Sequence, residues 1–222
     1  MTKHRNLPFP IIRHLSRRLT PVLLRLPISA NQITLLSLVV GIWPAWLLST
    51  GTYDAGIQAS FVLLLTYILD HCDGEVARAK NQASDFGANL DSFVDWVVHS
   101  LFFAGLGYGQ ALVRGEKVWF WLGIAAALGA SINYFLVMWF KSRDRKATAG
   151  EVATEDNEPV RPSTALGWAV FFFRELSRAD FCFLVLILAL LDGLWLLLPA
   201  GAIGAQVYWM GLFIREAREY RV

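Results

Sequence analysis

The chain carries its apolar residues in long blocks, whereas a soluble domain of this length interleaves them with polar residues. Several blocks approach the roughly 20 residues that a helix needs to cross a hydrocarbon core about 30 Å thick. Only Asp192 and Gly193 separate the last two blocks, so the number of spans could differ by one. The pattern predicts an all-α integral membrane protein with six transmembrane helices, formed by the blocks Ile33–Leu48, Ala59–Leu69, Phe93–Gly107, Val118–Phe140, Phe181–Leu191 and Leu194–Ile214.

These blocks form a single membrane-embedded domain over residues 1–222. The charged link at 141–163 contains two prolines and predicts a mobile cytoplasmic loop. The apolar segment 165–176 is too short to cross, and it forms either a half-buried surface helix or an early start to the fifth span. We expect an amphipathic interfacial helix at 7–26, then spans at about 32–49, 57–80, 88–112, 117–141, 179–192 and 195–217.

The first 30 residues are basic and amphipathic, without the apolar centre and cleavage site of a secretory signal peptide. Four arginines surround an apolar stripe, which favours a helix in the cytoplasmic headgroup layer over a solvated tail. The stripe consists of Ile12, Leu15, Leu19, Leu23 and Leu26.

Composition supports the membrane assignment, and charge adds an orientation. The chain is 55% hydrophobic, with a mean hydropathy of +0.45 and a net charge of +2. Lys and Arg concentrate before the first span, in alternate loops and after the last span. The positive-inside rule therefore places both termini and the loop after the second span in the cytoplasm, as in a bacterial inner membrane. Topology and anionic lipid explain the basic residues, so we expect no nucleic-acid partner.

Four aspartates stand within residues 70–95, between two apolar blocks. Asp70 and Asp73 are three apart near the end of the second span, and Asp91 and Asp95 are four apart at the start of the third. Residues at these spacings share a helix face, so a short turn would bring all four together. Converging carboxylates need a cation between them. Oxygen ligands without Cys or His favour a hard cation such as Mg²⁺ or Mn²⁺.

Small residues and one arginine accompany the carboxylates. Gly74 and Gly87 are costly in helices, which indicates that a bulky group approaches the backbone closely there. Ala77 is small for the same reason, and Arg78 can hold a phosphate oxygen. Together these features describe a phosphoryl-transfer site.

The same residues resemble the signature of the CDP-alcohol phosphotransferase family. That signature reads D-x-x-D-G-x-x-A-R, eight residues, then G-x-x-x-D-x-x-x-D. The stretch SANQIT, Ser29–Thr34, is similar to the P-N-x-x-T sequence that opens the first span in this family, with Ala30 at the usual proline. The signature positions are Asp70, Asp73, Gly74, Ala77, Arg78, Gly87, Asp91 and Asp95.

The resemblance implies an enzyme that cleaves the diphosphate of a CDP-alcohol, usually CDP-diacylglycerol, passes the phosphatidyl group to a hydroxyl and releases CMP. Asp70, Asp73 and Asp91 would hold two divalent ions. Asp95 would help to hold the second ion or act as the catalytic base. Homodimers are common in the family. The residues implied in CDP binding are Asn31, Thr34, Asp73, Gly74, Ala77, Arg78 and Gly87.

The acceptor is less defined. Lys141, Arg178 and Arg215 stand at cytoplasmic span ends, where they could bind the phosphate of an inositol phosphate or glycerol phosphate. They could equally be ordinary positive-inside flanks. Two other functions stay open: a phosphotransferase that joins a CDP-amino alcohol to diacylglycerol, and a cation or proton transporter. His71 is expected to pack or form a local hydrogen bond and not to bind metal, and His99 is expected to face a neighbouring helix or to tune Asp95.

Overall fold

The structure is a computed structural model that describes residues 11–147 and 180–219. All regular structure in these two ranges is helical. The last long helix follows a single 3-10 turn, Leu194–Leu196. The helices are α1 Ile12–Leu24, α2 Ala30–Ser49, α3 Tyr53–Ala79, α4 Asp85–Arg114, α5 Lys117–Ala147, α6 Phe181–Leu190 and α7 Leu197–Glu219.

Five of the helices are long and apolar enough to cross a membrane: α2, α3, α4, α5 and α7 together with its preceding turn. The sixth expected span, α6, has ten described helical residues, which rise only about 15 Å. The structure therefore confirms an all-helical membrane architecture with five spans of sufficient length. The count of six stays a prediction.

One boundary was predicted wrongly. The sequence places the start of a loop at residue 141, but α5 continues as a helix to Ala147. Lys and Arg have good helix propensity, so charge ends the apolar block without ending the helix. Residues 148–163 of the predicted loop and all of the segment 165–176 lie outside the described ranges.

Capping side chains explain where the helices begin. Ser29 accepts a hydrogen bond from the backbone N–H of Gln32, whose side chain accepts one from the Ser29 N–H in return. This capping box satisfies two donors at the start of α2. The Ser84 side chain caps α4 by accepting a hydrogen bond from the N–H of Gly87, without a reciprocal bond because glycine has no side chain. At the opposite end of α4, Gly115 adopts a left-handed conformation, with a φ of 72°, which a helix C-terminus favours.

Helix α2 packs between α3 and α4, and the contact with α4 depends on glycine. A Cβ added to Gly105 would lie 2.2 Å from the carbonyl oxygen of Ala45, and one added to Gly109 would lie 2.0 Å from that of Leu48. No side chain fits at these distances, so the backbones approach directly. Helix α5 then packs on α4, and α7 packs on α5.

Helix α1 lies against α3 through polar contacts that the apolar stripe does not reveal. Its buried side chains are Ile12, Ser16 and Thr20. The hydroxyls of Ser16 and Thr20 donate to the carboxylate of Glu75 on α3, at 2.8 and 2.5 Å. The leucines at 15, 19 and 23 are partly buried beside this face. Leu26 is 45% exposed and lies beyond the helix end, so its place in the stripe was predicted wrongly.

A distant carboxylate holds the beginning of α1. The side chain of Asp180, just before α6, accepts hydrogen bonds from the backbone N–H groups of Ile11 and Ile12 at 2.9 and 3.0 Å. Asp180 is fully buried. A carboxylate at a helix N-terminus satisfies unpaired donors and complements the helix dipole. The contact joins two segments that are 168 residues apart in the chain.

Candidate active site

Residues 80–84 join the end of α3 to the beginning of α4, and we call this end of the bundle the motif end. The turn between these helices is tied to the segment before α2. The Lys80 ammonium group donates to the carbonyl oxygens of Leu26 and Ile28 at 3.0 and 2.8 Å. The side-chain oxygen of Gln82 accepts from the N–H of Ala30 at 2.9 Å. Because proline has no N–H, the alanine at this family proline position gains a hydrogen bond.

Three of the four predicted metal ligands meet at the motif end. One carboxylate oxygen from each of Asp70, Asp73 and Asp91 lies within 4.8 Å of the other two. Asp73 is only 5% exposed. Three carboxylates this close repel one another strongly unless a cation neutralises them, and their oxygen-only donor set suits Mg²⁺ or Mn²⁺. The residues present therefore fit the divalent metal that the sequence predicts.

A hydroxyl from α2 orients one of these carboxylates. Thr34 Oγ1 donates to Asp73 Oδ2 at 2.5 Å, and both side chains are buried. Such support from outside the ligand set fixes a metal-binding carboxylate in place. Thr34 was predicted as a CDP-binding residue, and the structure gives it this additional contact.

A cavity of about 230 Å³ opens beside the three carboxylates, between α2, α3, the 80–84 turn and α4, and we call it the α2–α4 cavity. Gly87 lies at its wall, where an added Cβ would come within 3.1 Å of Asn31 Oδ1. Gly87 thus leaves room for the Asn31 side chain. All seven predicted CDP-binding residues line this cavity: Asn31, Thr34, Asp73, Gly74, Ala77, Arg78 and Gly87.

Asp95 faces a different space. It is exposed to a cavity of about 930 Å³ between α4, α5 and α7, which we call the α4–α7 cavity. Asp91 lines the α2–α4 cavity, and Asp95 follows it by one helical turn. The carboxylates of α4 therefore stand between the two cavities. The polar residues that line the α4–α7 cavity include Ser92, Asp95, His99, Asn133, Tyr134, Tyr208 and Arg215.

The three cationic side chains that were predicted to bind the acceptor do not share one location. Arg215 lines the α4–α7 cavity and forms a 3.0 Å ion pair with Glu216. Lys141 is exposed on α5, where the α4–α7 cavity does not include it. Arg178 lies outside the described residues. The structure thus brings Arg215, and not Lys141, into a shared cavity with Asp95.

Both histidines make hydrogen bonds, which the sequence predicts only for His71. His71 Nδ1 lies 3.0 Å from the carbonyl oxygen of Tyr67. His99 Nδ1 lies 2.7 Å from the carbonyl oxygen of Asp95, and its Nε2 lies 2.7 Å from the Tyr67 hydroxyl. A carbonyl oxygen can only accept, so His99 carries its proton on Nδ1 and accepts from Tyr67 through Nε2. His99 therefore links α3 to α4 directly beside Asp95.

Sequence reasoning missed Glu75, which lies inside the signature at an unspecified position. Its carboxylate holds α1 through Ser16 and Thr20 on the side of α3 away from the metal ligands. The available signal was an acidic residue near the end of an apolar span, together with two hydroxyl residues four apart in an amphipathic segment. Nothing in their spacing pairs one with the other.

Comparisons with known proteins support the family resemblance of the signature residues. The family model described as CDP-alcohol phosphatidyltransferase matches residues 27–210. A relative from Thermococcus kodakarensis, named bifunctional IPC transferase and DIPP synthase, is 32% identical over 123 residues, which are 54% of this chain and 27% of that protein. The chain therefore spans about a quarter of the length of this curated relative. The archaetidylinositol phosphate synthase of Pyrococcus horikoshii is 26% identical over 65% of this chain and 70% of its own length.

A solved structure shows the same fold. The phosphatidylinositol phosphate synthase PgsA1 of Mycobacterium tuberculosis, crystallised with CDP-DAG bound, superposes with a TM-score of 0.52 at 20% identity. The match covers 90% of this chain and 92% of that one. The family model matches most of the sequence. The structure agrees with that match, because it has five spans of sufficient length and three convergent carboxylates at the signature positions. The chain belongs to the CDP-alcohol phosphatidyltransferase family.

Proposed function

We propose that this protein is a phospholipid-synthesis enzyme. It transfers a phosphatidyl-type group from CDP-diacylglycerol, or a related CDP-alcohol, to a hydroxyl of a phosphorylated polyol such as inositol phosphate or glycerol phosphate, and it releases CMP. One observation carries the proposal. The helix that bears Asp91 and Asp95 separates two cavities, so a phosphoryl group at these carboxylates is accessible from two sides. Phosphoryl transfer requires the attacking and leaving oxygens roughly in line, on opposite sides of phosphorus.

The names of the relatives support both substrates. The Pyrococcus protein is named for archaetidylinositol phosphate synthesis, and the mycobacterial structure contains CDP-DAG. The α2–α4 cavity holds every residue that the family signature assigns to CDP, which supports it as the donor site. The α4–α7 cavity, with Asp95 and Arg215, is then the acceptor site.

The residues have defined roles in the transfer. Asp95 takes the proton of the acceptor hydroxyl, whose oxygen forms a bond to the lipid-bearing phosphorus. The bond from that phosphorus to the bridging oxygen breaks, and CMP leaves with this oxygen. Thr34 keeps the Asp73 carboxylate oriented throughout. Arg78, which lines the donor cavity, pairs with a diphosphate oxygen.

Asp70, Asp73 and Asp91 would hold the divalent metal, and Asp95 would complete the set if two ions are present. The metal would neutralise diphosphate oxygens and stabilise the charge that develops on the leaving CMP. The aspartates lie at the end of the bundle, where a lipid nucleotide with its tails in the bilayer would present its diphosphate.

The proposal includes a membrane arrangement. The protein forms one membrane domain with six spans, in which the segment that contains α6 supplies the short one, and α1 lies in the headgroup layer. The motif end faces the cytoplasm, because basic residues concentrate in the segments at that end. The exposed side of α1, with Arg13, Arg17 and Arg18, would contact anionic lipid.

Incubation of the purified protein with CDP-diacylglycerol, Mn²⁺ and a panel of polar alcohols tests the function directly. We expect CMP and a phosphatidylinositol phosphate or phosphatidylglycerol phosphate, identified by mass spectrometry of the lipid product. Product formed only from a CDP-amino alcohol and diacylglycerol would establish the alternative transfer. No CMP release with any acceptor would contradict the proposal.

A further inference from the structure

Helices α3 and α4 carry the four signature aspartates, but in the part of the chain that the structure describes they do not pack along one another. Each packs on α2 instead. Two helices that share a neighbour can still tilt relative to each other. A side-chain contact that crosses directly from α3 to α4 therefore fixes the distance between their carboxylates more closely than the packing on α2 does.

Tyr67 and His99 make such a crossing. The Tyr67 hydroxyl lies 2.7 Å from His99 Nε2, and Tyr67 is only 7% exposed. The other ring nitrogen of His99 lies 2.7 Å from the carbonyl oxygen of Asp95 on its own helix. The rings of Tyr67 and Phe181 lie 5.9 and 6.0 Å from the imidazole, measured between centroids. With both nitrogens bonded and two aromatic neighbours, the imidazole is held in one orientation.

The crossing lies about one helical turn deeper in the bundle than the carboxylates. Tyr67 precedes Asp70 by three residues on α3, and His99 follows Asp95 by four residues on α4. Residues at these spacings share a helix face. With a rise of about 1.5 Å per residue, the crossing is about 4.5 Å from Asp70 and about 6 Å from Asp95 along the helix axes. Asp70 and Asp95 therefore stand at nearly the same depth.

Asp95 lies between two points at which α4 is joined to α3. Asp91, one turn nearer the motif end, belongs to the three-carboxylate group with the two aspartates of α3. His99, one turn deeper, bonds to Tyr67. Asp95 itself is not in the three-carboxylate group. A helix joined at Asp91 alone could tilt about that point, whereas the second attachment at His99 prevents Asp95 from moving.

We propose that Tyr67 and His99 are positioning residues for the transfer, which hold Asp95 at a fixed distance from the carboxylates of α3. The inference rests on the proposed function. Neither side chain is needed to bind metal or CDP-diacylglycerol in this arrangement. They act through Asp95, by keeping the base in place for the acceptor hydroxyl.

Tyr67→Phe tests the crossing by removing one oxygen atom. We expect kcat for CMP release to fall by about tenfold or more, because a shift of about 1 Å in a reacting group can cost up to a hundredfold. The KM for CDP-diacylglycerol and for the acceptor should stay within about twofold, since a loss that lowers kcat and kcat/KM equally acts on the transition state alone. His99 also lines the α4–α7 cavity, so solvent can replace the lost donor and the variant should fold.

Variants of His99 provide a rescue test. The side-chain amide of glutamine reaches about as far as Nε2 of histidine and offers an acceptor oxygen, so His99→Gln should keep most of the wild-type kcat. His99→Leu has no acceptor and should be as slow as Tyr67→Phe. The double variant Tyr67→Phe with His99→Leu should be no slower than either single variant, because all three lack the same bond. If Tyr67→Phe does not fold, His99→Gln against His99→Leu gives the same comparison.

Tyr53→Phe is the matched control. Its hydroxyl, at the opposite end of α3, donates to the carbonyl oxygen of Leu190 on α6 at 3.2 Å. The control thus removes a hydrogen bond between helices far from the aspartates, and it should keep the wild-type kcat. The thermal shift caused by Mn²⁺ should be the same in all variants, which shows that the three-carboxylate group is intact.

Three results would overturn the inference: wild-type kcat in Tyr67→Phe, a raised KM at unchanged kcat, or a His99→Gln variant no faster than His99→Leu. Independent, multiplying losses in the double variant would overturn it as well. Each of these results requires a wild-type protein that releases CMP. No CMP release by the wild type with any polyol phosphate would instead contradict the proposed function, so the two failures are distinguishable.

Discussion

At the scale of single residues, Asp91 and Asp95 differ in their surroundings although they are one turn apart. Asp91 belongs to the three-carboxylate group and lines the α2–α4 cavity, whereas Asp95 is exposed in the α4–α7 cavity. The difference suggests distinct roles, with Asp91 on the metal and donor side and Asp95 on the acceptor side.

Asp91→Asn and Asp95→Asn should each reduce CMP release from CDP-diacylglycerol by at least about a hundredfold, as expected for the loss of a major electrostatic element. Asp91→Asn should also weaken the stabilisation of the protein by Mn²⁺, and Asp95→Asn should do so less. The exposed Asp54, in the first turn of α3, provides the matched control Asp54→Asn, which should retain activity. Full activity in either active-site variant would refute these roles.

Arg215→Ala should raise the KM for a phosphorylated acceptor by about tenfold or more, since a charge-assisted hydrogen bond to phosphate is lost. Its effect on Mn²⁺ binding should be small. Arg17→Ala, on the exposed side of α1, removes the same charge far from the cavity and serves as the control. An unchanged KM would show that Arg215 is only a positive-inside flank.

At the scale of helices, close backbone contact between α2 and α4 sets the position of the aspartates. Gly109→Ala places a methyl group 2.0 Å from the Leu48 carbonyl oxygen, so we expect α4 to shift or the protein to unfold at lower temperature. Overpacking of this kind costs about 1–3 kcal/mol or more. Gly204→Ala is the control, because an added Cβ there meets nothing within 4 Å. Thermal unfolding in detergent measures the difference.

The position of α1 depends on its hydrogen bonds to the Asp180 carboxylate. Asp180→Ala leaves the N–H groups of Ile11 and Ile12 without their acceptor, and a buried unsatisfied donor costs about 1–3 kcal/mol. The unfolding temperature should fall, and protease cleavage within α1 should become faster. Glu116→Ala, at an exposed site, should change neither quantity. Wild-type stability in Asp180→Ala would mean that α1 is held by its other contacts alone.

The sequence predicts contacts between residues that are close along the chain, and it does not predict contacts between residues that are far apart. The positions of Asp70, Asp73 and Asp91 follow from helical spacing within 22 residues, and the structure brings them together. The contacts of Glu75 and Asp180 with α1 join segments 55 to 169 residues apart, and no local pattern encodes them. The continuation of α5 to Ala147 was missed because hydropathy marks the end of an apolar block and not the end of a helix.

At the scale of the whole molecule, two measurements distinguish a metal-dependent transferase from an ion transporter: CMP release and ion flux. EDTA should abolish CMP release, and Mg²⁺ or Mn²⁺ should restore it. The same protein in liposomes should show no ion flux above empty vesicles. The described acidic residues support this expectation, because the carboxylates gather at the motif end and not at mid-bundle. Flux without CMP release would establish the transporter instead.

One rigid element, α4, carries carboxylates that face both cavities. A helix turns by about 100° per residue, so one residue inserted between Asp91 and Asp95 would rotate one carboxylate away from its cavity and leave the other in place. One helical turn of α4 thus sets the distance between the nucleotide and the incoming alcohol. No loop lies between Asp91 and Asp95 that could accommodate an inserted residue. Relatives with this chemistry can vary freely in their other helices, but the separation of these two aspartates should be invariant.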